Sequence, residues 1–313
     1  MKEKPCVIIT GPTASGKSDF AESLALLCDG FIINADMGQC YTPLTVGTAK
    51  PDLKAASVSM HLFDILNAPV DFSVMAYRKK VLELVAERSE GKVSFIVGGS
   101  LFYLKSLFFS PQEHPEIQHN MPLLDLSLST QDLWDTLNTI DPVRAQALYK
   151  EDRYRIIRAL TIWQKTGVLP SSLAPVFDPP KRPIIFVALL PDRSVLQERV
   201  VVRTHKMFDP WVAEARELYK TNWQPFIVQK GLIGYSDLFD WFDRGAPETD
   251  RASVIQSIVT QTMQYAKRQV TFLKSFEKQL HDAYQGFQYP CIIKKYEAGN
   301  EFALQEILSL LQD

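Results

Sequence analysis

Apolar and polar residues along the first hundred positions alternate between strand and helix patterns. Residues 5–10 (PCVIIT), 31–35 (FIINA) and 93–97 (VSFIV) are short apolar runs rich in β-branched residues, and each predicts a buried strand. Apolar residues at helical spacing fill residues 20–27 and 74–88, which predicts a helix after the first strand and another before the third. This order of strands and helices is typical of an α/β fold with a parallel sheet.

The pattern changes after the first third of the chain. Residues 113–181 contain no convincing strand, and their apolar residues recur at helical spacing. Residues 184–190 (IIFVALL) again predict a buried strand, a long helical pattern follows it, and the last thirty or so residues predict a strand and a helix. We therefore predict an α/β catalytic core formed by residues 1–112 and 182–313, interrupted by a small helical insertion domain at 113–181.

Composition and net charge limit the kinds of molecule that this chain is expected to bind. The 313 residues are 46% hydrophobic and 22% charged, which suits a globular chain with a sizeable core and argues against intrinsic disorder. The net charge is −2, so local basic patches would have to hold any nucleic acid. No apolar run is long enough to span a bilayer, and we expect no membrane partner. The N-terminal residues predict a strand rather than a signal peptide.

The cysteines predict a cytoplasmic location. Cys6, Cys28, Cys40 and Cys291 form no CxxC pair, and the histidines complete no zinc spacing with them. We interpret all four as small buried hydrophobic residues in a reducing cytosol.

A glycine-rich loop follows the first predicted strand. Residues 11–18 (GPTASGKS) match the pattern GxxxxGK[ST] and open the first predicted helix, the context that this phosphate-binding motif requires. Its glycines let successive N–H groups turn toward an anion, and the helix N-terminus adds positive potential. Lys17 supplies a mobile charge, and the Ser18 hydroxyl can hold Mg²⁺. The core is therefore predicted to be P-loop NTPase-like and to bind a di- or triphosphate. The predicted phosphate-binding residues are Gly11, Pro12, Thr13, Ala14, Ser15, Gly16, Lys17 and Ser18.

The strand ends distinguish this chain from ordinary P-loop kinases. The strand at 93–97 leads into Gly98-Gly99-Ser100 and carries no carboxylate to orient Mg²⁺. The acid follows the second strand instead, as Asp36, at the sheet edge where α/β folds place their chemistry. Asp36 could act as a general base or magnesium ligand, or could only cap its loop. Ser100 could bind a phosphate oxygen, but taken alone it is expected to cap the following helix.

Seven motifs in one order carry a family resemblance. From about Val7 to Phe272 they are GPTASGKS, IINADMGQCY, VGTAKP, VGGSLFYLKSL, DRYRIIRAL, GLIGY and QYAKRQVTF, and together they resemble the tRNA dimethylallyltransferases (tRNA isopentenyltransferases). The resemblance implies a loop that grips the pyrophosphate of dimethylallyl diphosphate. It also implies transfer of the five-carbon group to the exocyclic amine of the adenosine 3′-adjacent to the anticodon, in tRNAs that read codons beginning with U. The absence of a C-terminal zinc-finger pattern favours a bacterial-type member.

The resemblance assigns roles to the catalytic residues. Asp36 matches the aspartate that takes the proton of the acceptor amine, and an aromatic amine needs such help because it is a poor nucleophile. Lys17, Ser18 with Mg²⁺, Ser100 and Arg203 would stabilise the leaving pyrophosphate. An arginine on an open helix surface is the alternative interpretation of Arg203.

The resemblance also implies contact with the anticodon stem-loop, by a chain that we expect to be a monomer. In the DRYRIIRAL motif, Ile156 is expected to face a core, whereas Arg155 and Arg158 share another face. Without the resemblance we would interpret that face as solvated and paired with Asp152. Gln39 would read the edge of a base flipped from the loop. The predicted tRNA-binding residues are Asp36, Met37, Gly38, Gln39, Ser100, Tyr154, Arg155, Ile156, Ile157, Arg158, Lys267, Arg268 and Gln269.

Several residues depart from the family pattern and keep other functions open. The departures are Met37 and Gly38 for serine-methionine, Thr42 for arginine, Leu101 for glycine and Met263 for arginine. A diverged paralogue that binds tRNA with weak or lost catalysis is one alternative. A P-loop small-molecule kinase is another, although no acid follows the third strand. An adenylate prenyltransferase acting on free nucleotide is a third, but it would not need the insertion.

Overall fold

The computed structural model describes residues 4–88, 91–110, 112, 124–297 and 301–312. The chain divides into two compact units. The first is formed by Met1–Phe108 and Pro180–Asp313, and the second by Phe109–Pro179. The unit boundaries differ by a few residues from the predicted insertion at 113–181, of which 113–123 lies outside the described residues.

The larger unit is built on a parallel sheet in the order β3-β2-β4-β1-β7-β8. In chain order the strands are β1 (Cys6–Thr10), β2 (Phe31–Asn34), β3 (Met60–His61), β4 (Ser94–Val97), β5 (Phe109–Ser110), β6 (Val176–Phe177), β7 (Ile184–Leu189) and β8 (Cys291–Tyr296). Ile8 of β1 stands in register with Ile96 of β4 and with Phe186 of β7. These three strands and β2 are buried along their whole length, which explains their continuous apolar sequences. The predicted α/β fold is confirmed.

The helices begin and end where the sequence supplies suitable residues. They are α1 (Lys17–Leu27), α2 (Val74–Arg88), α3 (Leu101–Ser106), α4 (Thr130–Ile140), α5 (Pro142–Gln146), α6 (Arg153–Thr166), α7 (Arg193–Leu218), α8 (Trp223–Lys230), α9 (Tyr235–Asp243), α10 (Arg251–Ala283) and α11 (Glu301–Gln312). Gly16 precedes α1 with φ 87°, and Gly167 ends α6 with φ 68°, so both helix ends use the left-handed conformation that glycine tolerates.

Apolar clusters stabilise the larger unit, and two of them among the described residues bear on the site. One lies between the sheet and helices α1 and α11, where Val7 and Ile9 pack with Leu24 and Ile307. The other is rich in aromatic residues and joins α7, α9 and α10 to the loop after β2; Phe208, Trp211 and Phe239 belong to it. The second cluster sets the position of α7 and α10, which both contribute to the site described below.

The smaller unit has its own core and capped helices. Leu133 and Leu137 of α4 pack with Leu160 of α6. Asp141 accepts a hydrogen bond from the amide of Arg144 at the start of α5, as its position before a proline predicts. The two-residue strands β5 and β6 pair in antiparallel fashion. Because β6 lies within residues 113–181, the prediction of no strand in that range was wrong for Val176 and Phe177. A strand of two residues is too short to show a period.

Among the residues that the structure describes, no helix is both long and apolar enough to cross a membrane.

Candidate active site

The phosphate loop connects the end of β1 to the first residue of α1. A Cβ atom on Gly11, whose φ is 151°, would lie 2.2 Å from the carbonyl oxygen of Leu189, so this position requires glycine. Lys17 Nζ donates a hydrogen bond of 2.8 Å to the carbonyl oxygen of Pro12, which folds the lysine back over the loop. The loop therefore presents an ammonium group and a helix N-terminus on the same side.

A cavity of about 960 Å³ opens beside this loop at the carboxyl end of the parallel strands. It brings together residues that are far apart in sequence. Of the predicted site residues, the cavity is lined by Thr13, Ala14, Gly16, Lys17, Ser18, Asp36, Gln39, Arg203 and Gln269. This edge of the sheet is where parallel α/β folds bind ligands.

Asp36 is the cavity acid that follows β2, and β2 and its neighbours fix its position. Asn34 holds the backbone of Asp36 from both sides: its Oδ1 accepts from the Asp36 amide at 2.8 Å, and its Nδ2 donates to the Asp36 carbonyl at 2.9 Å. The Asp36 carboxylate accepts from the amide of Gly38 at 3.1 Å. Burial raises the pKa of Asp36, and the positive charge of Lys17 opposes that rise. A carboxylate with a raised pKa is a better proton acceptor than an ordinary aspartate.

Lys17 and Arg203 supply positive charge to the same space as Asp36. Burial lowers the pKa of Lys17 to about 8, with Asp36 raising it and Arg203 lowering it further. Arg203 Nη2 donates to Thr13 Oγ1 at 2.7 Å, so α7 is tied to the phosphate loop. The structure thus places Arg203 in the cavity wall rather than on an open helix surface.

Two cations of this wall were missed by the sequence reasoning. Arg199 and Lys206 also line the cavity, and they lie four residues before and three residues after Arg203 on α7. Residues at these spacings share one face of a helix. The signal was present in the sequence as the spacing R-x₃-R-x₂-K.

Gln269 joins two walls of the cavity through its side-chain amide. Its Oε1 accepts from the amide of Thr13 at 2.9 Å, and its Nε2 donates to the carbonyl of Gly99 at 3.0 Å. The side chain is nearly buried and joins the phosphate loop to the Gly98-Gly99 turn. Gln269 is therefore a clamp between two walls of the cavity, and its contact with RNA stays a prediction.

Ser100 does not cap α3 with its side chain, so that prediction was wrong. Its hydroxyl oxygen instead accepts from the amide of Met37 at 3.0 Å and joins the turn after β4 to the turn after β2.

A Cβ atom on Gly38 would lie 2.8 Å from Thr48 Cγ2, so the packing around position 38 disfavours a methionine side chain. The departures at Met37 and Gly38 therefore match the local packing of this chain.

Gln39 lines the cavity, and hydrogen bonds to a neighbouring loop set the orientation of its side-chain amide. Its Nε2 donates to the carbonyl oxygens of Thr48 at 3.0 Å and Ala49 at 3.3 Å. Because the nitrogen is engaged with the loop, the amide oxygen is the atom that can accept from a substrate. The loop itself is held by Glu214 of α7, which accepts hydrogen bonds from the amides at residues 45–47.

The remaining predicted tRNA contacts lie on two helices. In the smaller unit, Tyr154, Arg155 and Arg158 of α6 are exposed, and Arg155 Nη1 lies 3.2 Å from Asp152 Oδ2. Ile156 is fully buried, so its side chain belongs to the core and its inclusion as a tRNA contact was wrong. Ile157 is partly buried against the same core.

On α10 of the larger unit, Lys267 and Arg268 are exposed, and the Arg268 guanidinium lies 5.8 Å from the centre of the Tyr265 ring. Tyr265 itself lines the cavity.

Comparison with known proteins identifies close similarities. Residues 39–276 match the family model IPP transferase. A protein of Geotalea daltonii named tRNA dimethylallyltransferase 2 is 33% identical over 309 residues, covering 95% of this chain and 94% of the relative. A protein of Geobacter sulfurreducens named tRNA dimethylallyltransferase is 33% identical over 277 residues, covering 86% of this chain and 88% of the relative.

Solved structures agree with the fold. The full-length tRNA isopentenylpyrophosphate transferase from Bacillus halodurans has a TM-score of 0.65 and 25% identity, covering 99% of this chain and 96% of that one. A eukaryotic dimethylallyltransferase acting on tRNA has a TM-score of 0.77 and covers 99% of this chain and 79% of that one. At 22% identity, the second likeness shows the fold alone.

Proposed function

Because the chain belongs to the IPP transferase family, we propose that it transfers a dimethylallyl group from dimethylallyl diphosphate to the exocyclic amine of adenosine 3′-adjacent to the anticodon. The acceptors are tRNAs that read codons beginning with U, and the products are isopentenyl-adenosine and pyrophosphate. The relatives' names support tRNA prenylation over the small-molecule kinase and over a binder without catalysis.

One observation carries the chemistry: Asp36 shares a cavity with the Lys17 ammonium and the Arg203 guanidinium. In the proposed reaction, the carbon–oxygen bond of the donor breaks, and its electron pair leaves with the pyrophosphate. The amine nitrogen forms the new bond to that carbon, and Asp36 accepts the proton that the nitrogen loses. Lys17, Arg203 and the loop amides stabilise the charge that develops on the leaving oxygens.

The donor set fits Mg²⁺. The Ser18 hydroxyl lies in the first turn of α1, in the cavity wall, and would hold the ion together with diphosphate oxygens. Among the described residues there is no group of three His, Cys, Asp or Glu side chains that could hold a metal, and Mg²⁺ bound to a phosphate substrate needs few protein ligands. When bound, the ion would neutralise charge on the pyrophosphate.

The second substrate in this proposal is the anticodon stem-loop of tRNA, which a monomer would bind. The exposed arginines of α6 and the exposed Lys267 and Arg268 of α10 offer charge to phosphates. Gln39 offers its amide oxygen to the amine of the flipped adenine. The four cysteines are free thiols, which supports a reducing compartment such as the cytoplasm.

The test of this function uses the purified protein with Mg²⁺, labelled dimethylallyl diphosphate and an anticodon stem-loop. A matched stem-loop carries guanosine at the acceptor position, and further tubes hold free AMP or ATP. Label is expected only in the adenosine-bearing RNA. Label on AMP would identify an adenylate prenyltransferase, and consumption of ATP without transfer would identify a kinase.

Asp36→Asn tests the base. Transfer is expected to fall by about 10²- to 10⁴-fold, because the amide cannot accept the proton, while donor binding persists. Asp29→Asn is the matched control, since Asp29 is exposed on the surface and pairs with Lys92. Turnover of Asp36→Asn equal to that of Asp29→Asn would remove Asp36 from the mechanism.

A further inference from the structure

A pair of aromatic rings, one exposed and one partly buried, stands next to the active-site turn. Phe102 of α3 is 61% exposed, and its ring centre lies 4.9 Å from that of Phe272 on α10. Phe272 in turn contacts Phe276, which is fully buried, with ring centres 6.4 Å apart. We call Phe102 and Phe272 the aromatic step. Because Phe276 anchors it to the core, the step presents a fixed apolar surface to solvent.

Cationic and polar groups surround the aromatic step on one side. A concave surface of about 520 Å³ is lined by Phe272 together with Gln264, Lys267, Arg268 and Thr271. Packing of Phe272 against the core does not by itself explain the two exposed cations, Lys267 and Arg268, beside it. Aromatic rings beside Lys and Arg side chains are the combination that binds single-stranded nucleic acid, because bases stack on the rings and phosphates meet the cations.

The polypeptide connects the aromatic step directly to the catalytic cavity. Gln269, which follows Arg268, is the clamp that holds Thr13 and Gly99. Phe102 comes three residues after Gly99, a residue that lines the cavity, and Phe272 comes three residues after Gln269. On α10, three residues are about one helical turn, so Phe272 lies about 4.5 Å along the helix axis from Gln269, while Phe102 lies in the first turn of α3, directly after the Gly98-Gly99 turn.

We propose that the aromatic step stacks the base of a single-stranded nucleotide next to the acceptor adenosine, while Lys267 and Arg268 meet its phosphate. This proposal rests on the proposed function. Flipping the acceptor out of the anticodon loop removes a stacking partner from its neighbour. The aromatic step supplies a new partner, so the flipped state of the loop is favoured when the RNA is bound.

The experiment uses anticodon stem-loops with 2-aminopurine at the nucleotide 5′ or 3′ of the acceptor adenosine, because this base loses fluorescence when it stacks. The full-length protein is titrated into each RNA, and prenyl transfer is measured on the unlabelled stem-loop. The variants are Phe102→Ala, Phe272→Leu and Phe102→Trp. Phe302→Leu is the control, since Phe302 is an exposed phenylalanine on another helix, α11.

The proposal predicts fluorescence quenching at one flanking position with the unchanged protein and with Phe302→Leu. Phe102→Ala and Phe272→Leu are expected to lose that quenching and to weaken stem-loop binding by about tenfold, the effect of one stacked base. Phe102→Trp is expected to retain both. The KM for the donor at saturating RNA is expected to stay constant in all variants, because the step does not contact the diphosphate.

Three outcomes overturn the proposal. Quenching and affinity that are unchanged in variants of unchanged melting temperature would show that no base stacks there. Loss of self-association in the variants, without loss of quenching, would assign the step to an interface between copies of this chain. If Phe102→Trp and Phe102→Ala weakened RNA binding by the same factor, the aromatic step would have only a structural role. Failure of the proposed function differs from all three, because the unchanged protein would then transfer no prenyl group.

Discussion

Replacing Glu214 tests how the recognition side of the cavity is held. Glu214 Oε2 accepts from the amides of Thr45 at 2.9 Å and Val46 at 2.6 Å. Its Oε1 accepts from the amide of Gly47 at 3.0 Å and from the hydroxyl of the buried Tyr235 at 2.5 Å. Each oxygen therefore meets two donors. The next residues of the same loop supply the carbonyls that hold the nitrogen of Gln39.

Glu214→Gln keeps the shape of the side chain and changes its hydrogen bonding. An NH₂ in place of Oε2 faces two amide donors, whereas an NH₂ in place of Oε1 faces the Gly47 amide and a Tyr235 hydroxyl that can turn to accept. One or two of the four hydrogen bonds are therefore lost. Hydrogen bonds to charged groups contribute about 1.5–3 kcal/mol each, and partial exposure of Glu214 reduces that figure. We expect a loss of about 2–4 kcal/mol in the free energy of unfolding. We also expect kcat/KM for the stem-loop to fall by about 10- to 100-fold as the loop loosens around Gln39.

The assay combines urea unfolding with steady-state kinetics in which each substrate is varied in turn. Glu217→Gln is the control, because Glu217 lies three residues later on α7 and is exposed. The KM for the donor is expected to stay near that of the unchanged protein, since the phosphate loop does not contact Glu214. A stability loss with equal effects on both substrates would refute the proposed link from Glu214 through the loop to acceptor recognition.

Two further predictions concern the phosphate loop. Above about pH 8 the KM for the donor is expected to rise, because the free protein loses the Lys17 charge as the pH passes the lowered pKa of this lysine. Lys17→Arg should flatten this pH profile between pH 7.5 and 9.5. An equal profile in both proteins would exclude Lys17 as the titrating group. Gln269→Ala is expected to raise the KM for the donor by about tenfold with stem-loop affinity unchanged, because it releases the Thr13 amide and the Gly99 carbonyl. Separate titrations with donor and with RNA measure the second effect, and a selective loss of RNA affinity would instead support the predicted RNA contact of Gln269.

The sequence predicted the parts of the fold whose patterns are long enough to show a period. The buried strands β1, β2, β4 and β7 and the helix α2 appear within one or two residues of their predicted bounds. The strands β3, β5 and β6 have two residues each, and they form because neighbouring backbones come within pairing distance. Such contacts are set by tertiary packing, which a local pattern does not contain.

The site shows the same division between motif and packing. The phosphate loop and Asp36 were found because a short motif and a strand end fix their place on the sheet. Arg199 and Lys206 were missed, since a polar helix face has the same sequence whether it faces solvent or a cavity. The clamp formed by Gln269 was not foreseen, because the sequence does not show which backbone groups a long amide side chain reaches.

The packing at the end of β4 explains why this strand is not followed by the acid that orients Mg²⁺ in P-loop kinases. In the sheet, β4 lies between β2, which leads to Asp36, and β1, which leads to the phosphate loop. A Cβ atom on Gly98 would lie 2.1 Å from the carbonyl oxygen of Ala35, so no side chain fits there, and the carboxylate of a kinase is sterically excluded. The next residue, Gly99, is closed off by Gln269, whose Nε2 would lie 2.4 Å from an added Cβ. The two glycines thus leave open space between Asp36 and Lys17. In the proposed reaction, a donor held by its diphosphate at the loop would extend its five-carbon group into that space, toward the carboxylate of Asp36.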